Sequence, residues 1–126
     1  MSAIVLIVDD NEDNVAILRA MLLDRGYEIR IARDGRSALA SVRERRPDVI
    51  LLDIMMPGMD GMEVLDQLKR DPRHGTIPVI MLTARAEDRD VLAGYETGAD
   101  YYITKPFTMR QIRYALSLVL GTKEPD

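Results

Sequence analysis

Three aspartates, a threonine and a lysine carry the chemistry this sequence offers. Asp53 closes the apolar run Val49-Ile50-Leu51-Leu52, and the chain breaks shortly after it at Pro57-Gly58. Asp9 and Asp10 close a second apolar run, Ala3 to Val8, while Thr83 and Lys105 close two more, Ile77 to Leu82 and Tyr101 to Thr104. One aspartate after a strand is most often a helix cap or a turn former. Caps do not call for three carboxylates, a hydroxyl and an ammonium along one edge. The ends of parallel strands do share an edge, and ligands of such sheets bind beyond it.

Three carboxylates packed together repel one another unless protons or a cation sit among them. Oxygen donors with no His or Cys beside them suit a hard ion, Mg2+ or Mn2+, which keeps several waters and accepts a phosphate oxygen. Asp53 then reads as a nucleophile toward a phosphoryl donor, giving an aspartyl phosphate. The metal, the Lys105 ammonium and the Thr83 hydroxyl balance the charge of the transferred group. Ala84, small and next to Thr83, leaves room for the phosphoryl group and offers a backbone N–H.

The elements that must position these groups follow from patterning. Ala3 to Val8 and Val49 to Leu52 are apolar without alternation, as in strands covered on both faces. A helix from about Glu12 puts Val15, Leu18 and Leu22 on one face and ends at Gly26. Tyr27 to Ile31 alternates apolar and charged residues, the pattern of an edge strand with one wet face. A second helix, Gly35 to Arg46, turns Ala38, Leu39 and Val42 inward and stops before Pro47, with Arg43, Arg45 and Arg46 complementing its C-terminal end. A third runs from about Gly61 to Arg70 with Leu65 and Leu68, then turns at Asp71-Pro72. His74 is expected to be a solvated loop side chain.

Ile77 to Leu82 is the fourth strand, with Pro78 near its start. Glu87 to Thr97 reads as a helix with Val91, Leu92 and Tyr95 on one side; Gly94 costs it roughly 1 kcal/mol relative to alanine. Tyr101 to Thr104 is the fifth strand, and Thr108 caps a last helix with Ile112, Leu116 and Val119 inward. Five strands alternating with five helices make an α/β fold with a parallel sheet, right-handed crossovers and helices on both faces.

The chain has 126 residues, 17 basic and 21 acidic, for a net charge of -4. That length suits one domain, and the acidic excess argues against nucleic-acid binding, which wants a basic face. Cysteine is absent, which excludes disulfides, thiolate nucleophiles and zinc-thiolate sites and is compatible with a reducing cytoplasm. The longest apolar run falls far below the ~18 residues of a membrane helix. No basic segment precedes Ala3 to Val8, so it reads as a strand rather than a signal peptide.

The ordered set IVDDNED, LLDIMMPGMDG, MLTA and GADYYITKPF resembles the receiver domains of two-component response regulators, of the single-domain chemotaxis-regulator type, over about Ile4 to Leu120. The resemblance implies a flavodoxin-like sheet of order 2-1-3-4-5. It implies a sensor histidine kinase or a histidine phosphotransfer protein as phosphoryl donor to Asp53, in a domain that catalyses its own phosphorylation and dephosphorylation. Asp10, Asp53 and the Met55 carbonyl would bind the metal directly, and Asp9 through water. A cis peptide would precede Pro106 and aim Lys105 inward. Thr83 and Tyr102 would switch together and alter a surface of the fourth helix, fifth strand and last helix, where Tyr114 and Leu118 lie. Met55 and Arg85 would tune phosphate loss, their bulk implying slow hydrolysis.

Residues 1–120 are expected to form the domain and 121–126 a tail or the start of a linker. The initial methionine and the early end favour a stand-alone regulator acting on a downstream protein, or dimerising when phosphorylated, over a module attached to an output domain. Two readings compete. A haloacid-dehalogenase-type phosphatase wants an aspartate where Met55 stands, and a degenerate, phosphorylation-independent interaction module should lack a site residue, whereas none is missing.

Overall fold

The uninterrupted apolar runs form strands buried on both faces. The structure is a computed structural model and describes residues 2–83 and 98–121. In chain order these form β1 (Ile4–Val8), α1 (Glu12–Leu22), a 3-10 turn (Leu23–Arg25), β2 (Glu28–Ala32), α2 (Gly35–Glu44), β3 (Val49–Asp53), α3 (Gly61–Arg70), β4 (Val79–Thr83), β5 (Tyr101–Thr104) and a C-terminal helix (Met109–Leu120). All strand pairs are parallel, in the order β2-β1-β3-β4-β5. This is the flavodoxin-like arrangement. Ala84, Arg85 and the helix expected over Glu87 to Thr97 lie outside the described residues.

Because successive strand residues point to opposite faces, each inner strand feeds two cores. Ile7, Leu51 and Leu82 meet Leu18 and Leu22 of α1 and Leu116 of the C-terminal helix. Leu6, Leu52 and Met81 meet Leu39 of α2 and Leu65 and Leu68 of α3. Helices therefore cover both faces, and Leu51 has no exposed surface. Four helices among the described residues begin with a side-chain cap: Asn11, Asp34, Asp60 and Thr108 each accept from a backbone N–H three residues on. Thr108 forms a reciprocal capping box with Gln111. Such caps satisfy N–H groups that have no partner inside the helix, and all four stand where the chain re-enters a helix from the same edge of the sheet. No described helix is long and apolar enough to cross a membrane.

One local expectation, at His74, needs correction, and others gain detail. β2 is an edge strand, as expected: Tyr27, Ile29 and Ile31 pack against the α1 core, and Glu28 and Arg30, which alternate with them, are half-buried on the other face. Arg45 explains part of this, reaching Glu28 at 2.7 Å while its carbonyl accepts from Arg30 at 2.8 Å. Arg45 is also the C-cap of α2, donating its N–H to the Ser41 carbonyl at 3.1 Å. Arg46 donates to the Arg73 carbonyl and to Thr76 Oγ1, bracing the turn after α3. His74 in that turn is not solvated; its side chain is 12% exposed and lies 3.2 Å from Asp71. Val119 packs against the core as expected, partly buried, with Ala115 deeper.

Candidate functional site

The two-residue period of the strands carries Asp9, Asp53 and Lys105 toward the face covered by α1 and the C-terminal helix. Val5 and Ile7 precede Asp9 on that face, Val49 and Leu51 precede Asp53, and Ile103 precedes Lys105. The register then brings the strand ends together, pairing Val8 with Leu52 and Asp53 with Leu82. Lys105, just beyond β5, donates its backbone N–H to the Thr83 carbonyl at 2.6 Å. Its Nζ lies 3.1 Å from Asp53 Oδ1 and 3.6 Å from Asp9 Oδ2. The peptide between Lys105 and Pro106 is cis, as the resemblance implied.

Both carboxylates are buried, Asp9 completely and Asp53 to within 3%. Asp10 is exposed at the mouth, and one oxygen from each of the three lies within 4.8 Å of the others. Burial, followed by the charge of Asp9, pushes the Asp53 carboxyl up to about 6. The Lys105 hydrogen bond and charge, and then the Met55 N–H, pull the other way. Backbone support is similar at both acids. Asn11 N–H reaches Asp9 Oδ1 at 2.9 Å, and Met55 N–H reaches Asp53 Oδ1 at 3.4 Å. Asp9 Oδ2 is buried with no hydrogen bond.

A buried carboxylate oxygen without a donor is costly. Among the described residues, two buried acids, a third at the rim and one ammonium form a donor set that suits a hard divalent cation. The residues present therefore fit such an ion. Thr83, fully buried, lies one residue beyond the partner of Asp53 on β4. By strand parity it belongs to the opposite face, together with Tyr102, which packs partly buried against the α2–α3 core. Met55 is 53% exposed beside Asp53, and Pro106 is exposed next to Lys105. Tyr114 and Leu118 are exposed on the C-terminal helix, with Tyr114 edge-on to Tyr101 at 6.4 Å.

Two contributors escape residue-by-residue reading. Asn11 serves the site through its backbone and caps α1 with its side chain; the Asp-x-Asn spacing, typical of an Asx turn, is the signal that finds it. Gly61 donates its N–H to the Ile54 carbonyl at 3.0 Å, closing the loop that follows Asp53. Nothing local in the sequence reveals that approach.

A family model for the response regulator receiver domain matches residues 5–117. The chain belongs to that family and carries the receiver domain of two-component response regulators. It is similar to the response regulator PleD of Caulobacter vibrioides, with 49% identity over 106 residues, or 84% of this chain and 23% of PleD. The structure of the chemotaxis protein CheY4 of Vibrio cholerae superposes with a TM-score of 0.87 at 34% identity, covering 95% of this chain and 100% of that one. The receiver domain of sensor histidine kinase PA1611 from Pseudomonas aeruginosa PAO1, which has a magnesium ion coordinated in its active-site cleft, superposes with a TM-score of 0.87 at 30% identity, covering 97% and 100%. The chain spans about half or less of the length of the curated relatives it matches.

Proposed function

We propose that this domain is a phosphorylation-operated switch in which Asp53 accepts a phosphoryl group from a sensor histidine kinase or a histidine phosphotransfer protein. The observation that carries the reading is the pair of buried carboxylates, Asp9 and Asp53, sharing the Lys105 ammonium, with one Asp9 oxygen left without a hydrogen bond. Asp9, Asp10, Asp53 and the Met55 carbonyl would hold Mg2+, or Mn2+ in its place; the PA1611 domain's magnesium supports that choice. When bound, the ion neutralises charge on the transferred phosphoryl oxygens.

The chain's own residues do the rest. An Asp53 carboxylate oxygen forms the bond to phosphorus as the donor's phosphorus–nitrogen bond breaks, and the imidazole leaves with the electron pair. Lys105, held by the Thr83 carbonyl and 3.1 Å from Asp53, is placed to compensate charge on the product. The Thr83 hydroxyl and the Ala84 N–H serve as donors to the phosphoryl group, with Pro106 adjacent. Thr83 then favours a packing in which Tyr102 moves, a population shift read on the surface carrying Tyr114 and Leu118. Bulk at Met55 and Arg85 slows hydrolysis of the acyl phosphate.

Residues 1–120 act as the receiver unit, with 121–126 as tail or first part of a linker. Output passes to a downstream protein, to an attached output domain or through a phosphorylation-dependent homodimer, without direct nucleic-acid or membrane contact. A cytoplasmic location belongs to the same proposal. PleD, matched over 23% of its length, and CheY4, matched over all of it, bracket the two architectures.

The test is intact mass after incubation with acetyl phosphate, with and without Mg2+, on wild type and Asp53→Asn. A metal-dependent phosphoryl adduct on wild type alone is expected, and its absence from folded wild type would remove the phosphoacceptor reading. Tyr102→Ala should still take the phosphoryl group yet bind a phosphorylation-selective partner more weakly. Equal binding by the phosphorylated variant and wild type would remove Tyr102 from the switch.

A further inference from the structure

We infer that Gly61 is a positioning residue for the phosphoacceptor loop: its missing side chain lets the start of α3 close on the Asp53–Ile54 backbone and so places Met55 beside the Asp53 carboxylate. The functional part of this inference rests on the metal-assisted reading above; the structural part rests on backbone geometry alone. A Cβ at position 61 would lie 2.8 Å from Ile54 Cα and 3.0 Å from the Asp53 carbonyl carbon, and closer still to the Asp53 carbonyl oxygen. All three are backbone atoms. None can swing aside as the tip of a side chain does.

Of the two flanks of the contact, α3 is held at more points than the backbone at Ile54. Ile54 is tied to β4 through its N–H on the Leu82 carbonyl at 3.0 Å, and its side chain is buried. α3 is anchored by Val64, Leu65 and Leu68 in the core and capped by Asp60 on the Glu63 N–H. An added methyl is therefore relieved by shifting Ile54 and Met55. That shift moves both the Met55 N–H, now 3.4 Å from Asp53 Oδ1, and the Met55 carbonyl proposed as a metal ligand.

Another glycine in the same loop supplies the contrast. Gly58 has φ +73° but open space where a Cβ would go, so alanine there is strained by conformation alone. At Gly61 the constraint is space, applied to the backbone that carries the site. A general loss of stability should follow either substitution. Only Gly61→Ala should disturb the site.

The experiment compares wild type, Gly61→Ala and Gly58→Ala below their unfolding transitions, measuring Mn2+ affinity by electron paramagnetic resonance. Amide hydrogen exchange of Ile54 is followed in the metal-free proteins. Gly61→Ala is expected to weaken Mn2+ about tenfold, the scale seen when groups supporting a metal's ligands are disturbed, and to speed Ile54 exchange. Gly58→Ala should lower the unfolding temperature while keeping affinity within about twofold of wild type. Wild-type affinity in folded Gly61→Ala, or an equal loss in Gly58→Ala, overturns the inference.

A wild type that binds no Mn2+ defeats the metal reading instead. The backbone claim is then decided by metal-free Ile54 exchange, where an unchanged rate in Gly61→Ala overturns it. If Gly61→Ala does not fold, wild type alone decides. Saturating Mn2+ should slow exchange of the Gly61 amide, which donates to Ile54, more than that of Gly58, and equal or no slowing of the two overturns the coupling.

Discussion

The two ends of the sheet use the same residue type for opposite purposes. Where strands begin, Asp48 accepts the Ile4 N–H at 2.6 Å and returns its own N–H to the Ile4 carbonyl at 2.9 Å. Asp100 repeats this with Val79, at 2.8 Å in each direction. Each exposed acid thus closes the start of a neighbouring strand, and the polar groups satisfy one another. Where strands end, Asp9 and Asp53 are buried side by side, share one lysine and leave an oxygen without a hydrogen bond. A satisfied carboxylate stabilises; a crowded, unsatisfied one costs stability. The location of the acid on the sheet therefore says less than what it lacks.

The comparison is broken most sharply by asparagine. Asp53→Asn should abolish the acetyl phosphate adduct, whereas Asp48→Asn and Asp100→Asn should leave its yield within about twofold of wild type, because an amide oxygen still accepts the strand's N–H. Loss of the adduct in the latter pair would merge the two ends. Next in size is stability. Asp48→Ala leaves the Ile4 N–H without its partner and should lower urea-derived stability by about 1–3 kcal/mol, with Mn2+ affinity unchanged.

The smallest effect is the pH dependence of the metal-free protein. Asp53 is raised from 3.8 to about 6 by burial and by Asp9. Between these values the folded state holds a proton that the unfolded chain has released, so stability falls as pH rises from about 4 to 6. The loss is about 1–2 kcal/mol once solvent screening is allowed for. Asp53→Asn should flatten that slope in urea titrations with chelator present. A slope that survives the substitution assigns the strain elsewhere.

Much of the site was legible because its residues close apolar runs. Asp9, Asp10, Asp53, Thr83 and Lys105 all stand at the predicted strand ends, and α3 and β5 have the expected boundaries. The strand order and the cis Lys105–Pro106 peptide came from family resemblance, since no periodicity encodes them. The side-chain partners of Arg45 and Arg46 and the burial of His74 were not legible. Each residue was interpreted from its chain neighbours, while Arg45 and Arg46 find their partners at Glu28, Arg73 and Thr76, and His74 is enclosed by the turn that Arg46 braces.

The sequence by itself determined the strands, the caps and the acids that follow them, because burial on two faces, N-capping and turn chemistry act within a few residues along the chain. Only the tertiary structure decided that Lys105 reaches an aspartate 52 positions earlier, that Asp9 keeps an oxygen without a hydrogen bond, and that Gly61 has no room for a methyl group against Asp53 and Ile54. Those facts depend on strand register and on how closely two backbones approach. Neither quantity has a local signature, because each is set by the packing of the whole sheet against its helices.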